Sequence, residues 1–397
     1  VRSFLLSLAL LSLSPAAEQW ALLSLGKDQE IKAYRLHEDG SLGHPKTITT
    51  GGSPSCMTVS QNHRILYVAM KKSKSIATYK IGKGATLTPL SETLVGEDAS
   101  YLTIHPSGKY LLSSYYQAGK AAVHRINADG SLSNMPLQMI ETDERAHAIS
   151  LDPSGQFAFV PHTRPNSIHQ FRFDPKKGIL SPNSTPILQR EENSGPRHLA
   201  IHPSNQHAYG SDEQGRAVTT YRLDQRKGLL KTVETILTHP PAPYEGKHST
   251  SDIHVHPSGK FVYLANRGYN VIAPFTIDPA TSKLTALTRV PTEEVTRSFG
   301  ISPDGKFLIS AGQKSGNIAT FQIEPDGNLT RLSTTPAGKN PWWVQIVELP
   351  DASASIEIGQ GTMAREITSA LLQTRLTERK HLNENGDLPG ATGIISF

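Results

Sequence analysis

The chain has 397 residues, with 40 Lys and Arg against 35 Asp and Glu and a formal net charge of +5. This modest basic excess favours small anionic ligands. The basic residues are scattered, with Lys71-Lys72-Ser73-Lys74 the one notable run, so the clustered cations and aromatic platforms of a nucleic-acid face are not expected. The single cysteine, Cys56, excludes an intramolecular disulfide and reads as packing. No CxxC, HExxH or EF-hand loop occurs, so the residues call for no metal.

Residues 1–17 hold Arg2, an uncharged run from Phe4 to Leu13, and small residues at Ser14, Ala16 and Ala17. That is the layout of a secretory signal peptide, too short to span a bilayer. It predicts an exported protein, periplasmic or secreted, with no membrane span after cleavage; were the segment not a signal, the protein would be cytoplasmic.

From residue 18 to about 350 a turn phrase recurs: His105-Pro106-Ser107-Gly108-Lys109, Asp152-Pro153-Ser154-Gly155-Gln156, His202-Pro203-Ser204-Asn205-Gln206, His256-Pro257-Ser258-Gly259-Lys260 and Ser302-Pro303-Asp304-Gly305-Lys306. A degenerate copy begins at Ser60, and the proline slots are 45, 47, 50, 54 and 46 residues apart, a spacing that marks a repeat architecture. Pro presets φ and Gly tolerates positive φ, so each phrase is a tight turn between two strand-like runs. The histidines of the phrase read as structural.

A third run in each unit carries Tyr34, Tyr79, His124, Phe171, Tyr221, Phe275 or Phe321, and a second turn closes on Leu42, Leu87, Leu132, Leu180, Leu230, Leu284 or Leu329. These series have seven members, one more than the turn phrase. The missing first strand lies at the other end, where Asn340-Pro341-Trp342-Trp343-Val344-Gln345-Ile346 imitates Gly195-Pro196-Arg197-His198-Leu199-Ala200-Ile201. The expectation is an all-β, seven-bladed β-propeller whose last blade is closed by both chain ends. Residues 351–397 lack the phrase and are expected to be an appendage, partly disordered, with a modest helix over 363–382 and no chemistry.

The repeat also locates a candidate site. Six residues before the turn proline stand Ser55, Ser100, His147, Arg197, Ser251 and Arg297, with Trp342 in the split blade. Ten residues before the end of the third strand stand Gly26, Lys71, Tyr116, Thr163, Glu213, Arg267 and Gln313. The first and second strands of a blade form a hairpin, so both rings should face one mouth of the channel. There His147, Arg197, Glu213 and Arg267 would converge, with Arg297, Tyr116 and Gln313 beside them. His198, Asp252 and His254 would line the wall slightly deeper. Arginines bind a phosphate or carboxylate through paired contacts. A Glu can activate water and a His can move a proton near neutrality. No G-x-S-x-G elbow is present, so acid–base chemistry on an anionic substrate fits better than covalent catalysis. The alternative use of the same residues is mutual pairing that merely satisfies the channel. The run Lys71–Lys74 reads as a solvated loop.

Gly195-Pro196-Arg197-His198 leading into His202-Pro203, Asp252-Ile253-His254 before the next turn, Ser302-Pro303-Asp304-Gly305-Lys306 and Ala311-Gly312-Gln313-Lys314-Ser315 together resemble the lactonase family of seven-bladed propellers. That family includes propeller-type 6-phosphogluconolactonase and the fungal carboxymuconate lactonizing enzyme; the likeness covers about residues 20–348 and is closer to the former. It implies opening or closing of a lactone ring on a small anionic sugar acid or dicarboxylate, without a cofactor or divalent metal. It also implies Glu213 as the base for water, His147 as proton donor or shuttle, and Arg197 and Arg267 as anion and oxyanion binders. Two other readings stay open: a muconate-type cycloisomerase, and an exported propeller that binds a partner without catalysis.

Overall fold

The computed structural model describes residues 17–239 and 247–349. The signal segment, all but its last residue, and the appendage from 351 onward lie outside the described residues. Seven antiparallel sheets follow one another in the chain, each with four strands, and one carries an added short strand at Val290–Pro291. Blades 1 to 7 start with innermost strands Pro54–Val59, Tyr101–Ile104, Ser150–Leu151, Pro196–Ile201, Ser249–Val255, Thr296–Ile301 and Pro341–Leu349. These innermost strands neighbour one another around a ring, giving the β-propeller that the spacing predicts. Blade 7 is built from both chain ends: Pro341–Leu349 pairs with Glu18–Leu25, which pairs with Glu30–Leu36 and then Lys46–Thr49.

The core lies between blades. Phe261, Tyr263 and Ala265 of blade 5 pack on Phe299, Leu308 and Phe321 of blade 6, for example. The third-strand aromatics are buried in every blade, as their recurrence suggests.

The turn phrase joins neighbouring blades. In blades 2, 4 and 5 the histidine Nδ1 accepts the N–H of the serine two residues on (Ser107, Ser204, Ser258), at 3.0–3.1 Å. That leaves the proton on Nε2, which donates to the turn-glycine carbonyl of the next blade: His105 to Gly155 at 2.9 Å, His202 to Gly259 at 2.9 Å, His256 to Gly305 at 2.8 Å. Asp152 makes the equivalent link from blade 3 by accepting from Asn205 Nδ2 at 2.8 Å. A second belt runs further out, where Tyr67 donates to the Gly130 carbonyl at 2.7 Å and Tyr263 to the Gly327 carbonyl at 3.0 Å.

The innermost strands share one irregularity. In blades 1, 4, 5, 6 and 7 the register with the second strand slips by one residue near the strand start. In blade 3, the bridge Ala146↔His162 is offset by one from Ser150↔Phe159 in the same sense. A one-residue bulge bends the strand and re-aims a side chain. The extra residue is Arg197 in blade 4, Arg297 in blade 6 and Trp342 in blade 7.

The latch makes a stability prediction. Gly305 has φ +74°, and an added Cβ would meet His256 Nε2 at 2.5 Å, whereas Gly96, with φ +77°, has nothing within 4 Å. Gly96→Ala should cost only the left-handed backbone penalty, about 1–2 kcal/mol. Gly305→Ala adds a clash and should cost about 3 kcal/mol or more. Urea unfolding of the two variants checks this; equal losses would show that the latch is slack.

Candidate functional site

The bulges aim three of their residues into one mouth of the channel. Arg197 is almost wholly buried, with 1% of its side chain exposed. Its Nη1 donates to the Ser251 carbonyl at 2.6 Å and to His198 Nε2 at 3.0 Å, and its Nε lies 3.7 Å from Glu213 Oε2. Glu213 follows the second strand of blade 4, His207–Asp212, and its N–H donates to the Gly195 carbonyl at 2.7 Å, which pins the hairpin end. From blade 5, Arg267 Nη2 donates to Glu213 Oε1 at 2.7 Å and to the Thr250 carbonyl at 2.9 Å. Glu213 is therefore held between two guanidiniums from adjacent blades.

His147 is buried beside this group, edge-on to Tyr116 and to His198 with ring centroids 5.3 and 5.1 Å away. Arg145 Nη1 donates to the Tyr116 hydroxyl at 2.7 Å. From the far side, Arg297 lies 4.0 Å above the Trp342 ring and Lys71 Nζ 4.4 Å from the same centroid. Together His147, Glu213, Tyr116, Arg297, Trp342 and Lys71 bound a pocket of about 260 Å³. His147 Nδ1, Arg197 Nε and Arg267 Nε are buried and make no hydrogen bond among the described residues. Orphaned buried donors of this kind fit a site that a polar ligand completes.

The channel is closed beneath the pocket. Tyr101, His198 and Trp343 meet across it, with centroids 5.0 Å apart for Tyr101–His198 and 5.4 Å for Tyr101–Trp343. Below this floor a second cavity of about 250 Å³ is lined mainly by apolar side chains such as Ile104, Ile149 and Leu199. His198 belongs to a buried chain. Its Nδ1 lies 2.9 Å from Asp252 Oδ1, and His254 Nε2 lies 3.3 Å from Asp252 Oδ2. Arg197 donates to Nε2 of His198, so the ring proton sits on Nδ1 and is given to Asp252.

The charges follow from burial and neighbours. Burial, then Arg197, His198, Arg297 and Arg267, hold His147 well below the ordinary histidine range, so it is neutral. Burial and the same kinds of neighbours bring His198 down to about 4. Burial, with Arg267 and Arg297 nearby, lowers Arg197 to about 9, and burial with Arg267 lowers Arg297 to about 10. Burial works against the charge on Glu213, but Arg197 and Arg267 outweigh it and its pKa is lowered. Burial likewise opposes the charge on Asp252, yet His254 and His198 hold its pKa well below the usual value. His254 is raised because its contact with Asp252 exceeds the effect of burial.

Of the ten residues singled out from sequence, His147, Glu213, Tyr116 and Arg297 line the pocket. Arg197 and Arg267 brace Glu213. His198, Asp252 and His254 lie beneath, with His254 packed edge-on against Phe299. Gln313 follows the second strand of blade 6 and is not brought into the cluster; its backbone N–H donates to the Val295 carbonyl at 3.0 Å. Lys71 departs from the solvated loop expected of it, since Nζ pairs with Asp98 at 2.9 Å at the pocket wall. Sequence reasoning assigned no role to Trp342, Tyr101 and Trp343. The slot arithmetic contained the signal, because Tyr101, His198, Asp252 and Trp343 all stand one position after the first ring. Cys56 packs under Ala99, and burial pushes its thiol up to about 12.

A larger open groove of about 1040 Å³ runs between the outer edges of blades 4 and 5, past Arg222, Arg226, Lys227 and Lys231. Those side chains are exposed, and no set of buried ionisable groups converges there as it does at the channel mouth.

The family model described as "Lactonase, 7-bladed beta-propeller" matches residues 21–346. The chain is 30% identical over 322 residues to a 6-phosphogluconolactonase of Serratia proteamaculans, covering 81% of this chain and 96% of the relative. It is 29% identical to a 6-phosphogluconolactonase of Xenorhabdus nematophila, with the same coverage of 81% and 96%. Among solved structures, the periplasmic gluconolactonase of Pseudomonas aeruginosa superposes with a TM-score of 0.77 at 25% identity, over 84% of this chain and 100% of that one.

Proposed function

We propose, since this chain belongs to the seven-bladed β-propeller lactonase family, that its lactone-hydrolase activity acts on an anionic sugar-acid lactone, with 6-phosphogluconolactone as the substrate. The observation that carries this reading is Glu213, ionised and braced by Arg197 and Arg267, beside a neutral His147 at the wall of a floored pocket.

With the lactone carbonyl turned toward Arg197 and Arg267, the positive charge of these two guanidiniums, which brace Glu213 beside the pocket, answers the oxygen on which charge develops. A water between Glu213 and the carbonyl carbon adds its oxygen to carbon and its proton to Glu213. The bound anion offsets the arginines and makes Glu213 a stronger base than in the free protein. Collapse of the tetrahedral intermediate breaks the ring C–O bond, and the departing oxygen takes a proton from one ring nitrogen of His147 as the other ring nitrogen accepts the proton that Glu213 took from water. The balance closes with Glu213 again ionised and His147 again neutral, and the new carboxylic acid releases its proton to solvent. His198, fixed as the Nδ1–H tautomer by Asp252, positions Arg197 rather than touching substrate.

We further propose that the protein is exported. The segment 1–17 has the layout of a signal peptide, a similar protein is periplasmic, and no helix among the described residues is long and apolar enough to cross a membrane. N-terminal sequencing of exported material should find a mature start near Glu18; retention of the intact segment on a cytoplasmic protein would reject export.

The hydrolytic reading is tested on freshly generated 6-phosphogluconolactone, corrected for spontaneous opening. Wild type should exceed the blank clearly. Glu213→Gln should lose about 10²–10⁴-fold as a lost general base, and Arg197→Ala about 10²–10³-fold as a lost oxyanion donor. Both Glu213 and His147 are shifted downward, so Glu213 stays ionised and His147 neutral as the pH falls. kcat/KM, corrected for the ionisation of the substrate phosphate near about pH 6, should therefore stay level from about pH 8 to about pH 5.5, whereas an ordinary histidine base would lose half its activity near pH 6.5. Wild-type rates at the blank, or a Glu213→Gln variant within about threefold of wild type, would reject the assignment.

A further inference from the structure

We infer that Arg297, laid against the indole of Trp342, is the receptor for a second anionic group on the substrate, remote from the lactone carbonyl, and that it sets the preference for phosphorylated over neutral sugar lactones. This rests on the lactonase reading for the orientation of the ligand, but the binding itself can be tested without turnover.

The pocket has two unlike sides. His147 and Glu213, with Arg197 and Arg267 bracing Glu213, come from blades 3, 4 and 5, whereas Arg297, Trp342 and Lys71 come from blades 6, 7 and 1 across the channel. Among the cations of the pocket, Arg197 and Arg267 are engaged by Glu213, and Lys71 is engaged by Asp98 at 2.9 Å. Arg297 is different: it has no hydrogen bond and no carboxylate within ion-pair distance among the described residues, yet it forms part of the pocket wall. Its guanidinium stands 4.0 Å over the Trp342 ring. That contact holds the guanidinium against the ring, and with no hydrogen bond to any described residue its N–H groups remain for a phosphate or carboxylate, which a guanidinium takes in paired contacts.

The charge count agrees. Lys71, Arg145, Arg197, Arg267 and Arg297 face Glu213 and Asp98, with His147 neutral, which leaves an excess of positive charge for a ligand to answer. A phosphate monoester on a sugar lactone supplies nearly two negative charges near neutrality. If the carbonyl lies against Arg197 and Arg267, the far end of the ring points at Arg297. Lys71 contributes through the indole and is already neutralised, so it is not the receptor.

The test measures binding by calorimetry of 6-phosphogluconate and of gluconate, the two hydrolysis products, to wild type, Arg297→Met, Arg297→Lys and Lys71→Met. Wild type should prefer the phosphorylated acid. Arg297→Met should reduce that preference about 10- to 100-fold, the worth of hydrogen bonds to a charged group. Arg297→Lys should retain part of it, because the charge remains and the fork is lost. Lys71→Met should reduce it less than about threefold. Equal loss in Arg297→Met and Lys71→Met would mean that net charge alone acts, and would overturn the inference. So would an undiminished preference in folded Arg297→Met, or no preference in wild type. If wild type hydrolyses no lactone but shows the Arg297-dependent preference, the lactonase reading fails and this one stands; hydrolysis without the preference gives the reverse.

Discussion

The site depends on one extra residue at the start of several innermost strands. A regular strand alternates its side chains, and the position held by Arg197 or Arg297 would face a neighbouring blade or the channel strictly by parity. The one-residue slip in blades 4, 6 and 7 breaks that parity and turns Arg197, Arg297 and Trp342 to the same mouth. The bulge is held open by the next blade: Arg197 donates to the Ser251 carbonyl of blade 5, as Ser211 Oγ also does. The site therefore needs neighbouring blades in contact, and the histidine latches at the opposite end of the blades join the same neighbours.

Crowding three arginines at a buried mouth opposes folding unless negative charge is close. Glu213 supplies part of it, while burial first and the neighbouring arginines second lower the pKa values of Arg197 and Arg297. An anionic ligand would supply the rest. Burial and the same positive field keep His147 neutral, so that it can accept a proton on one ring nitrogen while giving one from the other. The aromatic floor of Tyr101, His198 and Trp343 keeps the pocket from running through the channel as a water-filled pore, which strengthens every charge interaction above it. Asp252 and His254 hold the floor's one polar member in a single tautomer.

Much of this was legible in the chain. The turn phrase encodes the blades because a Pro-Ser-Gly turn is a local property, and the imitation of Gly195–Ile201 by Asn340–Ile346 encodes the closure. Slot counting isolated His147, Arg197, Glu213 and Arg267 because equivalent positions of a radial repeat share a height in the channel. The bulges were not legible, since a register slip depends on the partner strand and leaves no residue signature. Lys71 looked like part of a solvated run because its partners, Asp98 and Trp342, are distant in sequence. Gln313 occupied an equivalent slot, yet no contact draws its side chain into the cluster. His198, Asp252 and His254 fell beneath rather than on the pocket wall because their strands descend past the floor.

The most direct test is a crystal structure with the lactam analogue of 6-phosphogluconolactone, in which an amide replaces the ring ester and cannot be opened. The expected result is a single ligand in the channel-mouth pocket, its carbonyl oxygen within hydrogen-bond distance of Arg197 or Arg267 and its ring beside His147. A ligand seated in the outer groove past Arg222 and Lys227, or one in the mouth with its carbonyl turned away from both arginines, would contradict the assignment of the lactone site to this cluster.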